Sequence, residues 1–173
     1  MICPDCNKKT KKVRADYKYI ESGLENIVLQ NIPLYACSCG NRFPIIANIR
    51  QLHDLIAENI IMKSERLTGK EAKFLRKELG IKAIDFAKLL NVSKVTISRW
   101  ENENKPISII SDKLIRSIFI LKKEGATTKR FSDFLKCIES VCAEKRKSLS
   151  TMSIPAKSIT NYKGFGSGMG AVL

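Results

Sequence analysis

The stretch Ala87-Lys88-Leu89-Leu90-Asn91-Val92-Ser93-Lys94-Val95-Thr96-Ile97-Ser98-Arg99-Trp100-Glu101 decides how the chain folds. Its two amphipathic segments are joined by three residues, Asn91-Val92-Ser93. Asn91 tolerates a left-handed backbone, Val92 is apolar enough to plug a core, and Ser93 can accept a hydrogen bond from the first turn of a helix. One helix therefore ends at Leu90 and another begins after Ser93. Ile97 and Trp100, three apart, form the buried pair of that second helix, so Lys94, Val95, Thr96, Ser98 and Arg99 face outward along its first two turns.

Upstream, a helix from Lys82 or Ala83 to Leu90 turns Phe86, Ala87 and Leu90 inward, and small Ala87 permits close helix approach. Before it, Thr68-Gly69-Lys70-Glu71 is a capping box, with Thr68 accepting from the Glu71 amide and Glu71 reaching back. Ala72, Leu75 and Leu79 are the apolar stripe of the helix it opens, and Gly80 is its stop. The outward face of the helix after Ser93 suits the major groove of DNA, where the N-terminal part of a recognition helix meets base edges first. Arg99 has the bidentate fork for guanine O6 and N7, worth about 1 to 3 kcal/mol of discrimination. Lys94 can do the same or bind phosphate. Thr96 can hydrogen-bond or touch a thymine methyl, Val95 offers only an apolar contact, and Asn102 with Lys105 lies where the chain would meet phosphate. The competing reading is a helical protein-interaction bundle with a solvated basic face.

Charge favours the first reading. The 173 residues carry 31 basic and 17 acidic side chains, net +14, with a pI near 9.7. Cut at residues 62 and 124, the increments are +2, +7 and +5, so the basicity belongs to the middle and the end. A polyanion is the first partner to consider. No run approaches the roughly 18 apolar residues of a membrane span and no apolar signal region opens the chain, so a cytoplasmic location is expected.

Four of six cysteines stand in the first 39 residues, as Cys3-Pro4-Asp5-Cys6 and Cys37-Ser38-Cys39-Gly40. Two closely spaced pairs suit one Zn²⁺ in a closed tetrahedral site, which has no position for a reacting water and is structural. Gly40 can take the left-handed backbone such a knuckle needs. With Zn²⁺ on four thiolates the first third of the chain is close to neutral. Redox cysteines are the alternative, but no βαβ pattern surrounds Cys3 and Cys6. Between the pairs, Tyr17, Tyr19 and Ile20, then Ile27 to Leu29, with Ser22-Gly23 between them, read as a β-hairpin, and Ile32 to Ala36 adds a third strand.

Together these residues carry a resemblance. Ala87 to Glu101 looks like the Xre/Cro-type helix-turn-helix, and the order of cysteine module and helix-turn-helix resembles the YgiT-type zinc-finger (MqsA-like) antitoxins over about residues 1 to 124. The resemblance implies that Cys3, Cys6, Cys37 and Cys39 are zinc ligands and that the zinc module binds and neutralises a ribonuclease toxin. It also implies that the helix-turn-helix domain dimerises on a palindromic operator, and that Ser98-Arg99-Trp100-Glu101 matches the base-reading stretch. Three positions depart from the pattern. Lys82-Ala83 replaces a glutamine, leaving Lys82 to contact phosphate. Glu103 replaces the usual glycine after the motif, and Val95 replaces a polar base-reader.

The remaining segments complete the expected organisation. Residues 1–44 form a zinc-binding β-hairpin module. Residues 45–66 form a linking helix on Ile45, Ile49, Leu52, Ile56 and Ile60, with His53, the one histidine, in a structural role. Residues 67–125 form the helix-turn-helix domain, whose last helix is capped by Ser111 or Asp112 and turns Leu114, Ile115, Ile118 and Leu121 inward. Residues 126–147 form an amphipathic helix with Cys137 and Cys142 as small buried hydrophobes, and residues 148–173 a flexible basic tail. The fold class is mainly α with a small zinc-binding α+β N-terminal module. The function expected is a sequence-specific repressor binding DNA as a homodimer, the antitoxin of a type II toxin-antitoxin pair. The alternative is a stand-alone or phage-borne Xre-type regulator without a toxin. No Ser/His/Asp set or paired-carboxylate signature is present, so no catalytic residue is assigned and an enzyme is not expected.

Overall fold

The computed structural model describes residues 1–124 and 151–162. They divide into two compact units, residues 1–52 with 151–162, and residues 53–124. The strands are β1 (Lys11–Lys18), β2 (Ile27–Ala36), β3 (Arg42–Pro44) and β4 (Met152–Pro155). The helices are α1 (Ile49–Met62), α2 (Gly69–Glu78), α3 (Ala83–Leu89), α4 (Lys94–Glu101), α5 (Ile109–Glu124) and α6 (Ala156–Asn161). The protein is thus mainly helical, with a small N-terminal sheet beside which Cys3, Cys6, Cys37 and Cys39 cluster.

In the first unit β2 is the central strand. It pairs antiparallel with β1 from Lys11↔Ala36 to Lys18↔Val28, and antiparallel with β3 from Leu34↔Pro44 to Ala36↔Arg42. The stretch Ile27–Ala36 is one ten-residue strand, not the two shorter ones expected, and the third strand is β3. Pro33 fits inside it because its carbonyl accepts from the Ile45 N–H, which places its missing donor on the edge away from β1. Opposite Asp16, the pairing skips an extra residue: Asn31 is left-handed at φ 51°, its N–H donates to Asp16 Oδ1 (2.8 Å) and its carbonyl accepts from Arg14 Nη1 (2.9 Å). The hairpin arm begins at Lys11, earlier than Tyr17. β1 is an outer strand rich in Lys and Arg, so it shows almost no apolar alternation.

Residues 151–162 correct the expected tail. β4 runs parallel to β2, from Ile27↔Met152 to Gln30↔Pro155, and leads directly into α6. Ile154 and Ile159 are buried beside the fully buried Ile27 and Leu29 of the core. The pairing partners lie about 125 positions apart, so no local hairpin signal announces them. The helix of 126–147, Cys137, Cys142 and the glycine-rich end fall outside the described residues.

Helix α1 starts at Ile49 and not at Ile45, because Asn48 Oδ1 accepts the Gln51 N–H and caps it. Leu52, Ile56 and Ile60 are fully buried as expected, whereas Ile49 is exposed. In the second unit α2 opens with the complete capping box of Thr68 and Glu71. His53 Nδ1 lies 2.8 Å from Glu78 Oε1 and its ring packs edge-on against Phe74, a structural environment. α5 is capped by Ser108, whose Oγ accepts from the Ser111 N–H. Its inward stripe is rotated from the one expected: Asp112, Ile115, Arg116 and Phe119 are buried, while Leu114 and Leu121 are exposed. The rotation comes from a buried ion pair. Arg116 Nε donates to Asp112 Oδ1 (2.6 Å), and its other nitrogens donate to the carbonyls of Ile61, Lys63 and Glu65. Asp112 also accepts the Leu67 N–H. These bonds satisfy carbonyls left over at the end of α1 and pin the link to α2, which an apolar side chain could not do.

Candidate metal centre and nucleic-acid interface

The Sγ atoms of Cys3, Cys6, Cys37 and Cys39 all lie within 4.8 Å of one another, with Cys3 and Cys39 3.7 Å apart and Cys6 and Cys37 3.3 Å apart. Two backbone knuckles bring them there. In the first, the Asn7 N–H donates to the Cys3 carbonyl and Asn7 takes φ 55°. In the second, the Gly40 N–H donates to the Cys37 carbonyl and Gly40 takes φ 96°. A side-chain hydrogen bond from Asn41 to Asp5 ties the two together. The Cys39 amide and the Cys6 thiol lower Cys37 to about 6. The Lys8 amide lowers Cys6, but Cys37 and burial outweigh it and push Cys6 up to about 12. Four sulfurs on a tetrahedral ion at about 2.3 Å would stand about 3.8 Å apart, so the donor set and spacing fit a metal of the zinc type. The four cysteines form a group able to bind a metal ion, with no fifth protein ligand among the described residues.

In the second unit α3, the turn and α4 follow the expected geometry. Ile97 and Trp100 are buried on α4, and Phe86, Ala87 and Leu90 on or just after α3. Ser93 Oγ accepts the Thr96 N–H at 3.1 Å, a cap worth about 1 kcal/mol. Lys94, Val95, Ser98 and Arg99 are exposed on one outer surface, as are Asn102 and Lys105 just beyond the helix. Thr96 is only half-exposed and its hydroxyl lies 3.0 Å from Ser93 Oγ, so it is partly engaged in the cap. Lys82 is exposed at the N-cap of α3 and shares a shallow hollow with Lys88 and Lys122. Lys122 comes from α5, forty positions later, which is why sequence reasoning reached Lys82 alone.

What holds α4 in place was hidden in the sequence. Arg76 of α2 makes a two-pronged pair with Glu101, Nε to Oε1 at 2.6 Å and Nη2 to Oε2 at 3.0 Å, and also donates to the Ile81 carbonyl. Gly69, at the start of α2, lies so close to the carbonyl of Trp100 that no Cβ fits between them. All three helix ends close alike. After α2, the N–H groups of Gly80 and Ile81 bond the carbonyls of Lys77 and Arg76; after α3, those of Asn91 and Val92 bond Lys88 and Ala87. After α4, those of Glu103 and Asn104 bond Trp100 and Arg99. These are Schellman closures, each with a left-handed residue: Gly80 at φ 65°, Asn91 at 51° and Glu103 at 59°. Glu103, standing where glycine was expected, makes the same turn.

Among the described residues no helix is long and apolar enough to cross a membrane. No curated protein and no solved structure matches the chain. The family model described as Helix-turn-helix matches residues 73–117, from within α2 into α5, so this part of the chain is similar to the Xre-type helix-turn-helix domains found in DNA-binding regulators.

Proposed function

We propose that the protein is a sequence-specific transcriptional repressor that binds a palindromic operator as a homodimer, with α4 in the major groove. In this reading Arg99 takes guanine, Lys94, Thr96, Ser98 and Val95 line the base edges, and Lys82, Asn102 and Lys105 contact phosphate. The protein does no chemistry on its ligand. Cys3, Cys6, Cys37 and Cys39 hold one Zn²⁺, which stabilises a sheet too small to support itself. The cysteine unit docks a ribonuclease-type toxin, making the protein the antitoxin of a type II pair that represses its own operon. The observation that carries the DNA-binding part is the single outer surface of α4, which exposes Lys94, Val95, Ser98 and Arg99 while Ile97 and Trp100 anchor it from behind.

The test is Arg99→Ala against DNA selected by the native protein. Discrimination between the selected site and a variant site should fall by about 1 to 3 kcal/mol while salt-dependent nonspecific affinity largely remains. Equal loss on every sequence would remove the reading role. The family match is confined to residues 73–117, which also suits a stand-alone regulator. A toxin-like neighbouring reading frame whose product co-purifies with the chain decides between the two.

A further inference from the structure

The cysteine unit contains a groove of about 600 Å³, within the size range of binding clefts. It opens where the edge of β2 away from β1 has no strand partner, between Gln30, the last residue paired with β4, and Leu34, the first paired with β3. Its floor is apolar, with buried Ile32 and Ile159, and its walls include Ile45, Ile46 and Pro155. The charged lining residues are Arg14 and Lys157, with no acidic side chain among the described lining residues. Residues 1–52 with 149–162 hold nine basic and four acidic side chains, a net of +5, which becomes +3 with Zn²⁺ on the four thiolates.

The backbone in the gap narrows what fits. Pro33 has no N–H and its carbonyl is taken by Ile45, while both backbone polar groups of Asn31 are taken by Asp16 and Arg14. Neither residue can pair with an added strand, so an occupant is recognised by its side chains. An isoleucine floor rewards an apolar anchor and gives nothing to a sugar-phosphate chain. The cations at the rim, on a net positive unit, favour carboxylates beside that anchor.

We infer that this groove receives, from a partner protein, a peptide segment in which one large apolar side chain is flanked by carboxylates. The inference rests on the reading of the cysteine unit as a protein-docking module, and it adds where on that unit the partner sits and by what chemistry.

The test uses the full-length chain loaded with Zn²⁺ and a phage-displayed library of random dodecapeptides. Two variants alter the groove at exposed positions: Lys157→Glu reverses a rim charge, and Ala47→Trp fills the space. Enriched peptides should carry a Leu, Ile, Phe or Met flanked by at least two Asp or Glu. The best of them should bind each variant tenfold or more weakly than the parent, with circular dichroism and operator affinity unchanged. Peptides without carboxylates, peptides that bind both variants as tightly as the parent, or displacement of the peptide by duplex DNA would each overturn the inference. A natural partner that co-purifies equally with the parent and both variants would sink the groove and spare the docking module; one that co-purifies with none, while peptides still select as described, would do the reverse.

Discussion

Replacing Gly69 with alanine separates two physical effects that point in opposite directions. Gly69 is the first residue of α2, where a propensity argument gives alanine an advantage of roughly 0.5 to 1 kcal/mol over glycine. In the folded protein the added Cβ would stand 1.7 Å from the Trp100 carbonyl oxygen and 2.7 Å from its carbon. Ordinary contact begins at 3.4 Å, so the start of α2 and the end of α4 must part by about 1.7 Å. That carbonyl cannot retreat alone, because it accepts from the N–H groups of Asn102 and Glu103 in the closure of α4. Overpacking against rigid backbone costs about 1 to 3 kcal/mol, which outweighs the propensity gain. An approach of 1.7 Å to fixed backbone belongs at the upper end of that range, about 3 kcal/mol, so after the propensity gain is subtracted we expect a net loss of about 2 kcal/mol, lowering Tm by about 8 to 16 °C for a unit of this size. Trp100 is the chain's one tryptophan, so its fluorescence during thermal and urea unfolding reports on the perturbed contact itself. Operator affinity should fall as well, since the end of α4 moves. Gly80→Ala is the control: its Cβ would meet nothing within 4 Å and bears only the strain of φ 65°, so it should cost about 1 kcal/mol without shifting the native emission. A Gly69→Ala protein as stable as its parent would refute the packing argument.

Glu103→Gly should stabilise the helix-turn-helix unit by about 0.5 to 1 kcal/mol, because a side chain at φ 59° is strained where glycine is not; Asn91→Gly, from a residue that already tolerates the conformation, should gain less, and the opposite order in urea midpoints would contradict this. Chelating the metal from the loaded protein should deprotect the amides of Ile27–Ala36, Pro33 aside, and of Met152, Ser153 and Ile154 together in hydrogen exchange while Ala72 and Phe86 stay protected, since β4 is laid on β2; persistent protection at Met152, Ser153 and Ile154 would separate β4 from the metal-stabilised sheet. Burial pushes the Glu71 carboxyl up to about 7 from 4.5, against the pull of its Thr68 hydrogen bonds. The folded form therefore keeps a proton that the unfolded form releases between those values, so stability should decline as pH rises from about 4.5 to about 7, by less than 1.4 kcal/mol per unit, and level off above. Glu71→Gln should flatten that slope; a slope of opposite sign would mean that the Lys63 ammonium, 2.6 Å away, outweighs burial.

The local signals in the sequence were dependable where they act within a few residues. Thr68 and Glu71, Gly80, Asn91 and Ser93 each set a cap or a stop through hydrogen bonds spanning three to five positions, and the structure has all of them. The buried pair Ile97 and Trp100 follows from helical spacing, and the outward set around Arg99 follows from that pair. The same reasoning misplaced the stripe of α5, because it counted apolar residues and could not foresee that Asp112 and Arg116 would be buried to bond the link behind them. It also missed Asn48 as a cap, taking Ile45 for helix when its N–H is committed to Pro33.

Taken alone, the sequence determined the four-cysteine grouping, the helix-turn-helix and the side of α4 that is left exposed, since each depends on periodicity, capping or short spacing. Only the tertiary structure decided that residues 151–162 complete the N-terminal sheet, that Gly69 is required by the backbone of Trp100, and that Arg76 fastens Glu101. The reason is the same in each case: these contacts join positions from 25 to about 125 residues apart, and a polar or small residue announces such a partner only once the chain has brought it there.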